Sequence, residues 1–462
     1  MESTFRVRGL VGWLALATVA CGGHAATTRE ARTALDVGDP NEALRLLDER
    51  LEVDSPSEVP EDLDSSNVLY LLDRSMVLQE LGKSKLSSHD LEVADKQLMV
   101  LDFSRGATDE LGKYLFSDQS GPYRAPAYEK LLVNTMNMMN YLSRGDLEGA
   151  RVEARRLSVL EQYFKNSGEA KDAFIGPGSY LAGFIFEKSG QPDEALRYYD
   201  EALQAGKFQS LSDPIRRLAA VSSYRTPRIS ALLADTTATD ASSSASPALP
   251  AGGTSAAGSP DFAEIVTIIN YGRVPPKVAE RIPIGLALTY ASGALSPNDQ
   301  ARANRLAAQG LVTWVNYPRL GKPRGQWESP SAAIDGQWQP LDGALAVDRE
   351  AKKAWDAVRG AVVASAITRT IARIVAGEVV RKSTNDGALG LLLSLGTQAT
   401  LTALDTPDTR SWSMLPARIA IGRTRVRPGV HWVYTNVRGQ RLKRKITLGP
   451  RQWIVIVDTV LR

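Results

Sequence analysis

A segment with almost no large apolar side chains most constrains how this chain can fold. Between Asp235 and Asp261 the sequence reads DTTATDASSSASPALPAGGTSAAGSPD. Such a composition cannot bury enough surface to offset the entropy that is lost on ordering. It therefore predicts a flexible linker at 235–261, and the 462-residue chain is divided into two parts with different hydrophobic patterns.

The part before the linker has a helical pattern. Its best-formed unit, GSYLAGFIFEKSGQPDEALRYYDEALQAG, begins at Gly178, and related but weaker units begin at Val37 and Tyr141. Small and aromatic residues in this unit are spaced as in a tetratricopeptide (TPR) repeat, where they let paired helices approach closely. They are Gly183, Ala195, Tyr199 and Ala202. The spacing predicts a TPR-like helical repeat domain at 21–234 with an exposed concave face. A generic helical bundle is the alternative.

The part after the linker changes to the pattern of strands. FAEIVTIINYG from Phe262 and LVTWVNY from Leu311 are two of them, and four short segments separated by turns form the last fifty residues. The last segment, WIVIVDTV, is apolar on both faces and is predicted to be a central strand. A helical hairpin at about 347–404 interrupts the strands. Its second arm, 386–404, has no charge between its ends, and we expect it to dock on the protein rather than cross a membrane.

The expected fold class is α+β. The predicted order is a TPR-like helical repeat domain, a linker, and a β-sandwich-like domain at 262–462 with the hairpin inserted.

The single cysteine, Cys21, follows a short apolar run near the N-terminus. Arg6 and Arg8 precede that run, which is too short to span a bilayer but has the length of a signal-peptide core. The sequence ATVAC at 17–21 resembles the lipobox of bacterial lipoproteins, with Thr18 where leucine is usual. The resemblance implies a signal peptide at 1–20 and acyl chains, palmitate among them, on Cys21. Because Gly22 rather than aspartate follows, it implies the outer membrane, facing the periplasm or, as the alternative, the cell surface. An ordinary secreted protein is the other alternative.

The C-terminal strands are strongly basic. From Arg410 to Arg462 there are twelve Lys and Arg and one acidic residue, a balance of +11. The alternation slips at Gly422, and a bulge there would turn Arg423 and Arg425 outward. In RLKRKITL, one face carries Arg441, Lys443 and Lys445. This pattern favours a face that binds phosphorylated lipid head groups, an anionic envelope glycan or an acidic protein. A solvated face, or one docked on the protein's own acidic half, is the alternative, and nucleic acid is not expected.

Two other segments contain candidate interaction residues. In GPYRAPAYEKLLVNTMNMMNYL, Tyr123 and Arg124 could contact a ligand or staple the loop to a helix, and Met136 and Met139 could form an adaptable surface or fill the core. In DTRSW, Arg410 and Trp412 are the candidates. There we expect Arg410 to pair with Asp408 and Trp412 to pack under the sheet.

The sequence gives little support to an enzyme. Its three histidines, His24, His89 and His431, have no ligand-spaced partners, and there is no phosphate loop, dinucleotide fingerprint or nucleophile elbow. Ser411 near Asp408 lacks a general base. We expect no cofactor and no metal.

Five motifs occur in a fixed order: GPYRAPAYEKLLVN, ARVEARRL, YGRVPPKVAERIPI, ITRTIARIVAGEVVRK and PDTRSWSMLPARIAI. Together they resemble an uncharacterised family of tetratricopeptide-like bacterial envelope lipoproteins, a family that implies location and architecture but no activity. The predicted function is a non-enzymatic outer-membrane lipoprotein whose repeats bind an envelope protein and whose basic β domain contacts an anionic surface or partner. A peptidoglycan-associated regulator or glycan-cleaving enzyme is the alternative.

Overall fold

The computed structural model describes most of the chain beyond the predicted signal peptide. The described ranges are 23–103, 123–167, 176–234, 261–291, 293–308, 314–325, 327–383 and 406–462. The predictions for the signal peptide, for Cys21, for the linker at 235–260 and for the second hairpin arm at 386–404 lie outside these ranges.

The described residues up to Ala234 are mainly helical, as predicted. Its helices are α1 (His24–Thr27), α2 (Arg29–Val37), α3 (Pro40–Leu51), α4 (Ser65–Glu80), α5 (Ser84–Phe103), α6 (Ala127–Ser143), α7 (Leu147–Ser167), α8 (Gly176–Lys188), α9 (Pro192–Ala205), α10 (Ser212–Ala219) and α11 (Pro227–Ala234). Aspartates cap the N-termini of α3 and α4. Asp39 accepts from the backbone N–H of Glu42, and Asp64 accepts from those of Ser66 and Asn67.

Successive helices pack as antiparallel pairs, α4 with α5, α6 with α7 and α8 with α9, and each pair contacts the next. The pairing is closest where the sequence predicts it. A Cβ atom on Gly183 of α8 would lie 2.4 Å from the ring of Tyr199 on α9, so only glycine fits there. The predicted close approach of these two residues is confirmed.

The C-terminal part contains ten strands and three helices among the described residues. The strands are β1 (Ala263–Tyr271), β2 (Lys277–Pro283), β3 (Trp314–Leu320), β4 (Ser331–Ile334), β5 (Gln337–Gln339), β6 (Asp342–Ala346), β7 (Arg418–Val426), β8 (Gly429–Val437), β9 (Gln440–Leu448) and β10 (Trp453–Val460). The helices are α12 (Ile284–Tyr290), α13 (Pro297–Ala308) and α14 (Val347–Ser383). The strands form two four-stranded sheets, of order β10-β1-β7-β6 and β5-β4-β8-β9, and a two-stranded sheet β2-β3.

Strand β10 is not central, so that prediction is wrong. It lies at the edge of its sheet and runs parallel to β1. It is apolar on both faces because α4 and α6 pack on it while Ile456 joins a cluster with Val433 and Leu448 of the other four-stranded sheet. Helices therefore cover this edge strand. Its apolar pattern results from burial under these helices and does not indicate a central position in the sheet.

The predicted bulge at Gly422 is also wrong. The register of β7 with β1 continues without a shift through Gly422, which pairs with Thr267. A Cβ atom on Gly422 would lie 2.8 Å from the carbonyl oxygen of Pro340. The glycine is there because the chain between β5 and β6 approaches the strand closely.

The helices and the first sheet share one core. A single cluster of buried apolar residues contains Leu69, Met139 and Phe184 from the helices together with Ile268, Ile421 and Val455 from the strands. Residues on either side of the 235–260 segment thus stabilise each other. Among the described helices, none is both long enough and apolar enough to cross a membrane.

Candidate interaction surfaces

Arg423 is buried between carboxylates from both parts of the chain. Its Nη2 atom lies 2.7 Å from Glu187 of α8, its Nε atom lies 2.6 Å from Glu264 of β1, and its Nη1 donates to the hydroxyl of Tyr199 at 2.8 Å. Burial alone would raise the pKa of Glu187, but the charges of Arg423 and Lys188 outweigh it and lower that pKa to about 2. Both carboxylates accept from the guanidinium in charge-assisted hydrogen bonds.

The prediction that Arg423 turns outward is therefore wrong. Arg423 shares the face of Ile419 and Ile421, and this face packs on the helices. Arg425, two residues further, is partly exposed: its side chain keeps 39% of its accessible surface and lies 3.9 Å from Asp213 and over the ring of Phe262. Of the two candidate arginines on β7, only Arg425 reaches the surface.

The DTRSW segment is buried, and it forms hydrogen bonds between the C-terminal part of the chain and the N-terminal helices. Arg410 pairs with both carboxylate oxygens of Asp408 at 2.9 Å, as predicted. Trp412 is fully buried; its Nε1 donates to the carbonyl of Leu72 at 2.8 Å, and its backbone N–H donates to Glu129. Trp412 thus bonds to α4 and α6, so neither candidate residue in this segment lies on an open surface.

A second carboxylate of the N-terminal helices, that of Asp73, also bonds to this part of the chain. Asp73 of α4 accepts from the Ser413 hydroxyl at 2.9 Å and from the backbone N–H of Met414 at 2.8 Å. Its Oδ2 atom is also 3.1 Å from Nε2 of His24, whose ring stacks on Tyr70. The first described residues and the segment after Arg410 therefore meet at one buried side chain.

Of the two roles considered for Tyr123, ligand contact and attachment of the loop to a helix, the structure shows the second. It is buried, its hydroxyl donates to Glu129, and its backbone N–H donates to the hydroxyl of Ser65 at 2.9 Å. Burial raises the pKa of Glu129, which also accepts from Tyr128. Arg124 beside it is exposed.

The methionines fill the core, so the adaptable surface proposed for them does not exist. Met136 and Met139 are fully buried, and the side-chain amide of Asn270 on β1 lies 3.4 Å from the Met139 sulfur. Gln79 of α4 bonds to Asn140 at 2.9 Å, to Asn270 at 3.0 Å and to Thr459 at 2.8 Å. The side of the helices that was predicted to be open is covered by the chain's own β1 and β10.

One face of the sheet β5-β4-β8-β9 is exposed and combines aromatic rings with cations. Its residues, called here the basic-aromatic face, are Trp338, Ala333, Trp432, Tyr434, Arg441, Lys443 and Lys445. The opposite face points into the core with Val433, Val437 and Leu448. The predicted exposure of Arg441, Lys443 and Lys445 is confirmed. The aromatic members were missed, although Trp432 and Tyr434 alternate with buried residues in the sequence HWVYT.

Lysine and aromatic side chains interact on this face. The Lys443 ammonium lies 4.1 Å from the centre of the Trp432 ring and 5.4 Å from that of Tyr434. Arg441, Lys443 and Lys445 have no carboxylate partner in the described part of the chain. Asp335, in the turn between β4 and β5, lies 2.6 Å from the His431 ring and accepts from the backbone N–H of Trp432 at 2.8 Å.

A second exposed surface lies on helix α7. Val152, Val159 and Tyr163 recur at seven and four residues, which places them in one stripe along the helix. They keep 55%, 72% and 65% of their accessible surface. We call this exposed apolar group the α7 stripe. Among the described residues there is no group of three or more His, Cys, Asp or Glu side chains placed to hold a metal ion.

Comparison with known proteins gives few matches. No protein-family model and no curated protein matches the chain. Several solved structures resemble parts of it. One is MamA, at 14% identity over 42% of this chain and 83% of that one with a TM-score of 0.25. Another is a putative kinesin light chain from Podosopora anserina with nearly identical TPR-like repeats, at 13% identity over 48% and 96% with a TM-score of 0.30. Scores this low carry no structural argument, and the helix pairs described above stand on their own contacts.

Proposed function

We propose that this protein is a non-enzymatic, lipid-anchored scaffold of the bacterial outer membrane, facing the periplasm. Its helical repeats bind another envelope protein, and its basic β region contacts an anionic envelope component. The observation that carries the proposal is the pair of exposed surfaces, the α7 stripe and the basic-aromatic face, on a molecule whose inner helix side is filled by its own sheet.

The protein partner is expected on the outside of the helical stack. The first helices of the pairs, α4, α6 and α8, are covered by strands, so they offer no groove. The α7 stripe belongs to a second helix and presents two valines and a tyrosine to solvent. Tyrosine is enriched in the cores of protein interfaces.

The lipid anchor rests on the ATVAC sequence and on a short connection to the folded body. His24 is buried against Tyr70 and Asp73, and Cys21 stands three residues before it. Three residues of extended chain reach about 10 Å at most. Acyl chains on Cys21 would therefore hold the body close to the membrane surface and limit which of its faces can reach a partner.

Site-specific photo-crosslinking in intact envelopes tests the scaffold. A photoreactive residue at Val159 should give a discrete crosslinked protein, while the same residue at Glu49, an exposed position on α3, should not. Serine at both Val152 and Tyr163 should reduce the Val159 product about tenfold, since these neighbours complete the stripe. Equal crosslinking from Val159 and Glu49, or a product that the serine variant leaves unchanged, would refute a specific partner on α7.

A further inference from the structure

The basic-aromatic face has the layout of a binding surface for a chain of rings that carry negative charge. Across the sheet, Trp338, Ala333, Tyr434 and Lys443 are directly opposite one another on β5, β4, β8 and β9. Residues paired in this way point to the same side of the sheet. The row therefore runs from an aromatic wall, over a small floor, to a second aromatic wall and a cation.

The alanine makes a trough between the two aromatic side chains. Strands lie about 4.8 Å apart, so Trp338 and Tyr434 are separated by about 10 Å with only the methyl group of Ala333 between them. Trp338 keeps 66% of its accessible surface and Tyr434 keeps 37%. A pyranose ring, a chair that presents apolar C–H groups on its faces, fits between such walls and can pack on either aromatic side chain.

A row of cations lies on β9, on the far side of Tyr434 from the trough. Arg441, Lys443 and Lys445 alternate on β9, so their backbone positions extend over about 13 Å in a straight line. None of the three forms an ion pair with a carboxylate among the described residues: Asp335 bonds to His431, Glu328 pairs with Arg438, and Asp458 pairs with Arg444. A linear ligand with repeated anionic groups matches this row better than a single small anion.

We infer that the basic-aromatic face binds a carboxylate-bearing polysaccharide chain, with a sugar ring between Trp338 and Tyr434 and its carboxylates on the β9 cations. The inference rests on the proposed location, and it specifies the anionic component that the β region contacts. The face favours a glycan over a bilayer because Trp338 and Tyr434 flank a trough and Lys443 lies against the Trp432 ring, whereas insertion into a bilayer interface buries a continuous apolar face.

Binding of the full chain with Cys21→Ser, in which no acyl chain can form, tests the inference directly. The probes are an oligogalacturonate, a neutral dextran oligosaccharide of equal length, a single-stranded oligonucleotide, and vesicles of phosphatidylcholine with phosphatidylglycerol. The oligogalacturonate should bind more tightly than the other three, and its affinity should fall as salt rises.

Two variants and two controls assign the binding to this face. Trp338→Ala and the pair Lys443→Gln with Lys445→Gln should each lower the affinity for oligogalacturonate about tenfold. Trp314→Ala, on the separate sheet β2-β3, and the pair Lys352→Gln with Lys353→Gln, on α14, should leave it unchanged, as these residues are exposed elsewhere. All variants should keep the circular dichroism spectrum and thermal midpoint of the parent chain.

Several results would overturn the inference: no measurable oligogalacturonate binding, tighter binding to vesicles or to the oligonucleotide, or losses of affinity in the two controls equal to those in the face variants. None of these results depends on the protein partner. A failed crosslink at Val159 would refute the scaffold while this measurement still reports on the glycan, and the two outcomes are therefore distinguishable.

Discussion

The Arg423 guanidinium joins Glu187 of α8 to Glu264 of β1, two carboxylates that are far apart in the sequence and buried in the structure. Burial alone would raise the pKa of each carboxyl group, but the arginine reverses this and lowers both pKa values. Without the arginine, two carboxylates would remain close together in a site with little water. Removal of one partner from a buried ionic cluster is far more costly than loss of a surface pair.

Arg423→Ala should therefore lower the free energy of unfolding by about 3–5 kcal/mol at neutral pH, because it removes the most deeply buried cation of the cluster and leaves Glu187 and Glu264 with the more exposed Lys188 and Arg217. Arg425→Ala is the matched control on the same strand and should cost less than about 0.5 kcal/mol, since its side chain is partly exposed. Urea unfolding of the full chain measures both values. Equal costs at the two positions would contradict the burial of Arg423.

The sequence was sufficient to predict the face on which Arg423 lies, but not its partner. Arg423 has the same parity as Ile419 and Ile421, which places it on their face, and this was visible before the structure. The expectation of an outward arginine came from the general cost of burying a charge. The partner that removes this cost, Glu187, is 236 residues away, and no local pattern could identify it.

At the level of elements, the packing of α8 on α9 requires a glycine at position 183. Gly183 lets the Tyr199 ring approach the α8 backbone, and the Tyr199 hydroxyl then reaches Glu187 at 2.7 Å and accepts from Arg423. The small residue thus sets the position of the ring, and the ring contributes to the ionic cluster. Helix pairing and the contact between the two parts of the chain are coupled here.

Gly183→Ala should destabilise the protein by about 1–3 kcal/mol, the usual cost of forcing an atom into a packed core. Gly360→Ala within α14 is the control. Its new Cβ atom would meet nothing closer than the Tyr290 carbonyl at 3.6 Å, and alanine favours a helix by about 0.5–1 kcal/mol over glycine. Thermal unfolding should show a lower midpoint for the first variant and an unchanged or higher one for the second. A Gly183→Ala protein as stable as its parent would show that Tyr199 does not pack as described.

Local patterns predicted the elements more reliably than their places in the fold. The alternation in RLKRKITL correctly divided β9 into a core face with Leu448 and an exposed face with Lys443. The turn before it was also predicted, and it contains Arg438 and Gly439, both with positive φ, as a two-residue hairpin requires. For β10 the same reasoning predicted burial correctly but position wrongly, because a pattern of apolar residues does not say whether a strand or a helix supplies the cover.

At the level of the whole molecule, the described parts on both sides of 235–260 are joined by more than proximity. Trp412 is bonded to α4 and α6, Gln79 connects two helices to β1 and β10, and one apolar cluster extends through both parts. The composition of the 235–261 segment predicted a boundary but contained no information about contacts across it. The inner helix faces, which the sequence left open for a partner, are occupied by the chain itself.

This closure has a functional consequence. The partners of the proposed scaffold would have to contact the outside of the molecule, where the α7 stripe and the basic-aromatic face are exposed. The sequence located the cations of that face but not the trough. Trp338 and Tyr434 become neighbours only when β4 inserts between β5 and β8, and the order of strands in a sheet is a property of the complete fold.

Equilibrium unfolding of residues 23–234 alone, compared with the full chain, tests the central claim most directly. The fragment lacks the strands that cover α4, α6 and α8, so we predict that it aggregates or unfolds without a cooperative transition, while the full chain unfolds in one transition observed equally by tryptophan fluorescence and far-ultraviolet circular dichroism. Residues 23–234 contain no tryptophan, so circular dichroism follows the fragment, while the tryptophans of the full chain, the buried Trp412 among them, follow its C-terminal part. A soluble, cooperatively folded fragment with stability close to that of the full chain would contradict the shared core and return the inner helix faces to consideration as the partner site.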